Sequence, residues 1–361
     1  MSDHLLDGIE AVDLDTDRLK VRVLRRTSDS GGLPLILIHG NCSSSLFYQR
    51  LMLDLPHDVR PIAVDLRGFG GTEAKPVDAT RGLRDFSDDV WASVDALGLD
   101  RVALFGWSMG GGVVMQAIID APDRVTTATL QNPVSPYGFG GTKGRDGELT
   151  FPDGAGAGAG GANPRFIELV AGGDADGVRG DDGAPESASP RATLRGFYIA
   201  PTPEPYPDED MWLASMLTTV TGEGNYPGDA QTSPNWPGAA PGKRGVLNAM
   251  APTHLRLDAL VDVEPKPAIL WIRGEADQIV SDTSFFDLAT LGSLGYVPGW
   301  PGQDEVPPQP MVTQTRAVLD GYAAAGGHYT EVALPGVGHS PHLEAEEKVR
   351  AALVAHLRGN G

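Results

Sequence analysis

The chain has 361 residues, 41% of them hydrophobic and 21% charged, enough for one large domain or two smaller ones with an ordinary core. Its formal net charge of −20 excludes nucleic acid and anionic membrane as expected partners, because both would be repelled. A single cysteine, Cys42, rules out an internal disulfide, the first ten residues are acidic without a signal pattern, and no apolar run reaches membrane-spanning length; a soluble cytoplasmic protein is expected.

In chain order, Leu19 to Leu24 alternates basic and apolar residues, as an edge strand does. Leu33 to Ile38 and Pro61 to Asp65 are short continuous apolar runs, the pattern of strands buried on both faces. Leu83 to Leu97 carries Phe86, Val90, Val94 and Leu97 at spacings of three and four, which predicts an amphipathic helix. Val102 to Phe105 and Val125 to Leu130 are further strands, with a helix-like run from Gly111 to Ile119 between them. Strands alternating with helices predict a parallel sheet covered on both faces.

The rhythm stops near residue 134. From 134 to 265 the chain is rich in Gly, Pro and Asp. The tract 154–161 reads as a mobile loop, and 174–190 is polar and acidic. Short helices are expected from Pro164 to Val170, capped by Asn163, and from Met211 to Val220. The alternation resumes with a strand at 268–273, a helix at 314–325, a strand at 329–334 and a final helix at 341–357, with Ser340 as N-cap and Pro341 at its first position. Residues 292–312 form a second Pro/Gly-rich excursion. The expected organisation is a core of residues 1–133 and 266–361 with 134–265 inserted as a cap or lid.

Gly106-Trp107-Ser108-Met109-Gly110 joins the strand at 102–105 to the following helix. Strand, G-x-S-x-G and helix together make a nucleophile elbow, a sharp turn that needs small neighbours at 106 and 110 and lifts the serine Oγ out of the sheet. A serine hydroxyl needs an adjacent base, and the base an orienting acid. Asp277 follows the strand 268–273 and is chosen over Glu275 and Asp282; His339 follows the strand 329–334, where the other histidines lie outside the strand-end pattern. Gly156-x-Gly158-x-x-Gly161 fits a dinucleotide pattern but lacks the preceding strand, and there is no P-loop and no metal-spaced His/Cys cluster, so neither cofactor nor metal is expected.

The order Ser108, Asp277, His339 is that of the α/β-hydrolase fold. The chain resembles that superfamily over residues 19–133 and 266–358. His39-Gly40-Asn41-Cys42 stands where the family places its oxyanion loop, and Asp65-Leu-Arg-Gly68-Phe-Gly70-Gly-Thr72 resembles its D-x-R-G-x-G-x-S/T segment. The resemblance implies an α/β fold with a mostly parallel central sheet flanked by helices and an inserted cap domain. It also implies an oxyanion hole from the backbone N–H groups of Asn41 and Met109, with His39 bracing the loop. The His-Gly-Asn segment is also similar to haloalkane dehalogenases, but Ser108 stands where they need a carboxylate, and Trp107 precedes the nucleophile where their halide-holding tryptophan follows it. Asn132, after the strand ending at Leu130, leaves that strand without a triad acid.

The expected activity is hydrolysis of a carboxylic ester or lactone with a hydrophobic or aromatic acyl portion, through an acyl-enzyme on Ser108. Carbon–carbon bond hydrolysis, amide hydrolysis or perhydrolysis use the same triad, and a non-catalytic ligand receptor is the reading from a different class. Trp107, Trp212, Met216, Tyr226 and Trp236 are candidates to line the substrate pocket, along with Phe166, Phe197, Tyr198 and Met211.

Overall fold

The computed structural model describes residues 4–28, 31–202 and 204–359. An eight-stranded sheet organises them: β1 (Ile9–Asp15), β2 (Lys20–Arg26), β3 (Leu33–Ile38), β4 (Val59–Val64), β5 (Val102–Trp107), β6 (Val125–Gln131), β7 (Ala268–Gly274) and β8 (Tyr329–Leu334), in the order β1-β2-β4-β3-β5-β6-β7-β8. β1 and β2 are antiparallel, β2 pairs antiparallel with β4, and every later pairing is parallel. The continuous apolar runs occupy the middle of the sheet: Leu35, Ile36, Leu37 and Ile38 of β3 are fully buried, as are all six residues of β5.

Helices α1 (Arg84–Ala96), α2 (Met109–Asp120), α3 (Pro164–Ala171), α4 (Glu209–Met216), α5 (Met311–Ala324) and α6 (Glu346–Gly359) complete the framework used below. α1 packs on α2, and α6 packs on β6 and β7. The 134–265 segment leaves after β6 and returns at β7, and because β6 and β7 pair directly, the segment projects from the sheet without interrupting it. It carries α3, α4 and a π-helical turn at Leu194–Tyr198.

Several elements differ from expectation. β1 starts in the acidic first ten residues and continues to Asp15, where no strand was expected; Ile9 is buried and the strand's Asp13 and Glu10 pair with Arg22 and Arg25 of β2, so cross-strand charge neutralisation holds an edge strand that polarity obscured. The final helix is two pieces, Pro341–Glu344 and α6, broken at Ala345, whose φ of −138° is not helical. Ser340 does not cap with its side chain; the Glu344 carboxylate instead takes the Ser340 N–H at 3.0 Å. The tract 154–161, expected to be a mobile loop, is packed: Ala155 and Ala157 are buried, and the Ala159 N–H donates to Asn248 Oδ1 at 2.9 Å. α4 ends at Met216 rather than at Val220.

Candidate active site

The elbow is built by close approach. A Cβ on Gly106 would stand 2.2 Å from the Gly110 carbonyl oxygen, and one on Gly110 would stand 2.2 Å from the Ile38 carbonyl oxygen, so both positions need glycine for room. Ser108 has φ 58° and ψ −121°, a strained conformation for a residue with a side chain. It is held there by hydrogen bonds: its N–H donates to Gln131 O at 2.9 Å, and its carbonyl accepts from Gly111 and Val134 N–H at 2.9 and 3.0 Å. Met109 is the first residue of α2, so its N–H lies among those with no acceptor inside the helix. Gly40 packs against Ser108 closely enough that a Cβ there would lie 2.9 Å from Ser108 Cβ, which sets the loop bearing Asn41 beside the elbow.

Asp277 and His339 meet. His339 Nδ1 and Asp277 Oδ2 are 2.8 Å apart, with both side chains buried. The other carboxylate oxygen, Oδ1, accepts from the N–H groups of Ile279 and Val280 at 2.7 and 3.1 Å. The Ile279 and Val280 N–H groups and the Asn132 amide all donate to this carboxylate, which fixes its orientation against Nδ1. His339 stands beside the elbow, because Trp107 Nε1 donates to its carbonyl at 2.8 Å and the two rings lie 5.6 Å apart. Asn132 ties the strand ends together. Its Nδ2 donates to Asp277 Oδ2 at 2.6 Å and to Gly338 O at 3.1 Å, and its Oδ1 accepts from Gly274 N–H at 2.9 Å. The sequence showed Asn132 only as a missing acid; a short polar side chain able to hold φ 39° at a strand end was the signal for this role.

Other polar residues near the elbow are structural. His39 is fully buried; burial pulls its imidazole down to about 4, its Nε2 accepts from Leu66 N–H at 3.0 Å, and its Nδ1 lies 2.7 Å from Gly40 O. His342, also fully buried, is held down to about 3 by burial and then by its neighbour His339. Asp65 accepts from Ser45 and Gly71 N–H, each at 2.8 Å, and burial raises its pKa. Arg67 makes a two-pronged pair with Asp89 at 2.6 and 2.8 Å. Burial pushes the Cys42 thiol up to about 12, which leaves it protonated and a poor nucleophile near neutral pH.

A cavity of about 310 Å³ opens between the 134–265 segment, the Asn41-Cys42 loop and the residues after β7. Phe166, Phe197, Tyr226, Leu247, Phe286 and Leu291 line it, and among the described residues its lining holds no Asp, Glu, Lys, Arg or His. Of the nine pocket candidates, Phe166, Phe197, Tyr198 and Tyr226 line this cavity, and Trp107, Trp212, Met216, Trp236 and Met211 do not. Trp107 is fully buried between His339 and His342, at 5.6 and 4.9 Å between ring centroids. Trp212 stacks on Phe47 at 6.1 Å, and Met216 is fully buried. Trp236 is half-buried, donates to Pro298 O at 2.9 Å and borders a separate small crevice. These side chains are spent on packing the segment against the core, which their size and apolarity serve equally well. Phe285 and Phe286, 39% and 40% exposed, reach the cavity from the loop after β7 and pack on Phe197, with Phe286 at 5.1 Å; sequence reasoning passed over them.

A family profile for the alpha/beta hydrolase fold matches residues 34–156. Together with the sheet order, this shows the α/β-hydrolase fold. Among curated proteins it is 33% identical over 151 residues to a 2-hydroxymuconate semialdehyde hydrolase of Pseudomonas sp. (strain CF600), covering 39% of this chain and 47% of that one. It is 35% identical over 99 residues to a pimeloyl-[acyl-carrier protein] methyl ester esterase of Aliivibrio salmonicida (strain LFI1238), covering 27% and 35%. The matched part thus spans about half or less of each of these relatives. A solved carboxylesterase of Bacillus subtilis shares the fold over 99% of this chain and 94% of its own, with a TM-score of 0.58 at 16% identity. Among the described residues no helix is long and apolar enough to cross a membrane.

Proposed function

We propose that the chain is a serine hydrolase that cleaves an uncharged carboxylic ester or lactone, with 134–265 acting as a cap over the site. The observation that carries this reading is the buried His339 Nδ1–Asp277 Oδ2 pair at 2.8 Å beside the strained Ser108 elbow. His339 Nε2 takes the Ser108 proton as Oγ attacks the substrate carbonyl. Asp277 holds the imidazole tautomer and stabilises the imidazolium. The N–H groups of Asn41 and Met109 receive the developing oxyanion, each worth about 3 kcal/mol at the transition state. The imidazolium then protonates the leaving alkoxide, and a water activated by the same histidine releases the acid.

The mostly apolar cavity, whose wall reaches Asn41 of the oxyanion loop but not Ser108 or His339, supports a neutral hydrophobic or aromatic substrate group. Carbon–carbon bond hydrolysis is the second reading, favoured by the similarity to the semialdehyde hydrolase. A muconate is a carboxylate, however, and burying one in this cavity would leave it without a cationic partner. A panel of p-nitrophenyl esters, lactones and amides tests the reading. Turnover of neutral ester or lactone members supports it, and no turnover of any ester or lactone contradicts it.

A further inference from the structure

Residues 198–200 of the cap bond to the core at two separate points. The Tyr198 hydroxyl donates to the Asn41 carbonyl at 2.8 Å, which ties the cap to the loop after β3. Two residues on, the Ala200 N–H donates to Glu344 Oε2 at 2.8 Å. That same oxygen accepts the Gly338 N–H at 2.8 Å, and Oε1 accepts the Ser340 N–H at 3.0 Å. Gly338 and Ser340 flank His339, so one half-buried carboxylate grips the backbone on both sides of it. The Tyr198 ring stands edge-on to His339 at 6.0 Å and to Trp107 at 5.8 Å, filling the space between the two ties.

We propose that the cap segment Tyr198–Ala200 is a clamp on the catalytic centre, with Tyr198 and Glu344 as positioning residues that hold the Asn41 loop and the His339 loop in one register. This rests on the acyl-transfer reading above. The physical ground is tolerance: a displacement of about 1 Å in a reacting group costs on the order of 100-fold in rate, and these ties act on the two loops whose relative position the reaction needs. Glu344 accepts three amides and touches no reacting atom, so its effect passes entirely through the position of its neighbours.

Tyr198→Phe removes the hydroxyl and keeps the ring; Glu344→Gln keeps the shape but turns an amide nitrogen toward an N–H donor. Two rates are read: phosphonylation of Ser108 by a fluorophosphonate, and kcat and KM on p-nitrophenyl butyrate. Urea unfolding of each variant reports on the fold. The clamp predicts that Glu344→Gln slows phosphonylation and lowers kcat by about tenfold or more, with KM within about twofold. Tyr198→Phe does the same to a lesser degree, and the double variant loses less than the product of the single losses because both ties serve one element. Wild type that does not label contradicts the acyl-transfer reading itself. Wild type that labels, with a folded Glu344→Gln or Tyr198→Phe labelling at the same rate, overturns the clamp alone; Tyr198→Phe decides the matter if Glu344→Gln does not fold.

Discussion

Asn132 Nδ2 donates to Asp277 Oδ2 at 2.6 Å, the same oxygen that His339 Nδ1 meets at 2.8 Å. An amide at the end of β6 thus helps to aim an acid at the end of β7, and the neutral side chain adds a donor without adding a competing charge. Asn132→Gly removes that donor while suiting the backbone φ of 39°. It is expected to lower kcat by about tenfold or more with KM within about twofold, because the bonds to Gly338 O and from Gly274 N–H are lost with it. Asp277→Asn is expected to lower kcat by about 10⁴-fold, because it no longer selects the histidine tautomer. Steady-state kinetics on a p-nitrophenyl ester check both, and an unchanged kcat in Asp277→Asn removes it from the mechanism.

Gly106 and Gly110 are confined by backbone oxygens at 2.2 Å from an added Cβ, and backbone yields less readily than the end of a side chain. Gly106→Ala and Gly110→Ala are each expected to cost about 3 kcal/mol of stability and to distort the elbow. Urea unfolding midpoints measure the cost. A shift below about 0.5 kcal/mol in either variant would show that the elbow has room.

Burial holds His342 at about 3 and His39 at about 4, against about 6.5 for an unfolded histidine. Well above pH 6.5 neither state is protonated and these groups contribute no pH dependence. As pH falls below 6.5 the unfolded chain takes up protons that the folded chain refuses, so stability falls with pH until the folded values are reached. In His342→Phe, which keeps an aromatic ring against Trp107 and Tyr48, the stability lost between pH 6.5 and 5 is expected to be smaller by about 2 kcal/mol than in the wild type. Urea unfolding at the two pH values makes the comparison, and equal losses contradict the buried neutral imidazole.

The central strands, the elbow and the two loops bearing Asp277 and His339 were legible because each has a local cause. A strand buried on both faces is a continuous apolar run, as β3 is, and a crowded turn must use glycine, as at Gly106 and Gly110. β1 was not legible, because an edge strand open to solvent can carry Glu10 and Asp13 and read as a polar terminus. The pocket was legible in part: Phe166, Phe197, Tyr198 and Tyr226 line it, and the other candidates do not. Trp107, Trp212 and Tyr226 have similar composition-level signatures, and only tertiary packing sends the first two into the core and the third to the cavity wall. Glu344 was likewise silent, since its role depends on amides of Gly338, Ser340 and Ala200 that only the fold gathers.

Among the described residues the cavity wall carries no charged side chain, so a carboxylate placed there would be desolvated without a cationic partner. For matched p-nitrophenyl esters that differ only in a terminal methyl or a terminal carboxylate on the acyl chain, kcat/KM is expected to favour the neutral member by about 100-fold or more, or about 3 kcal/mol. Replacing Leu247, which lines the cavity, by Arg is expected to narrow that ratio. A wild type that prefers the carboxylate member would shift the assignment toward the carbon–carbon hydrolases.

Intact-mass measurement after fluorophosphonate treatment addresses the nucleophile itself. Wild type should gain one phosphonyl group per chain, located on Ser108 by peptide mapping; Ser108→Ala should gain none, and His339→Ala should react at least about 1000-fold more slowly. A folded wild type that stays unmodified, or a Ser108→Ala variant modified as fully as the wild type, would contradict acyl transfer at this elbow.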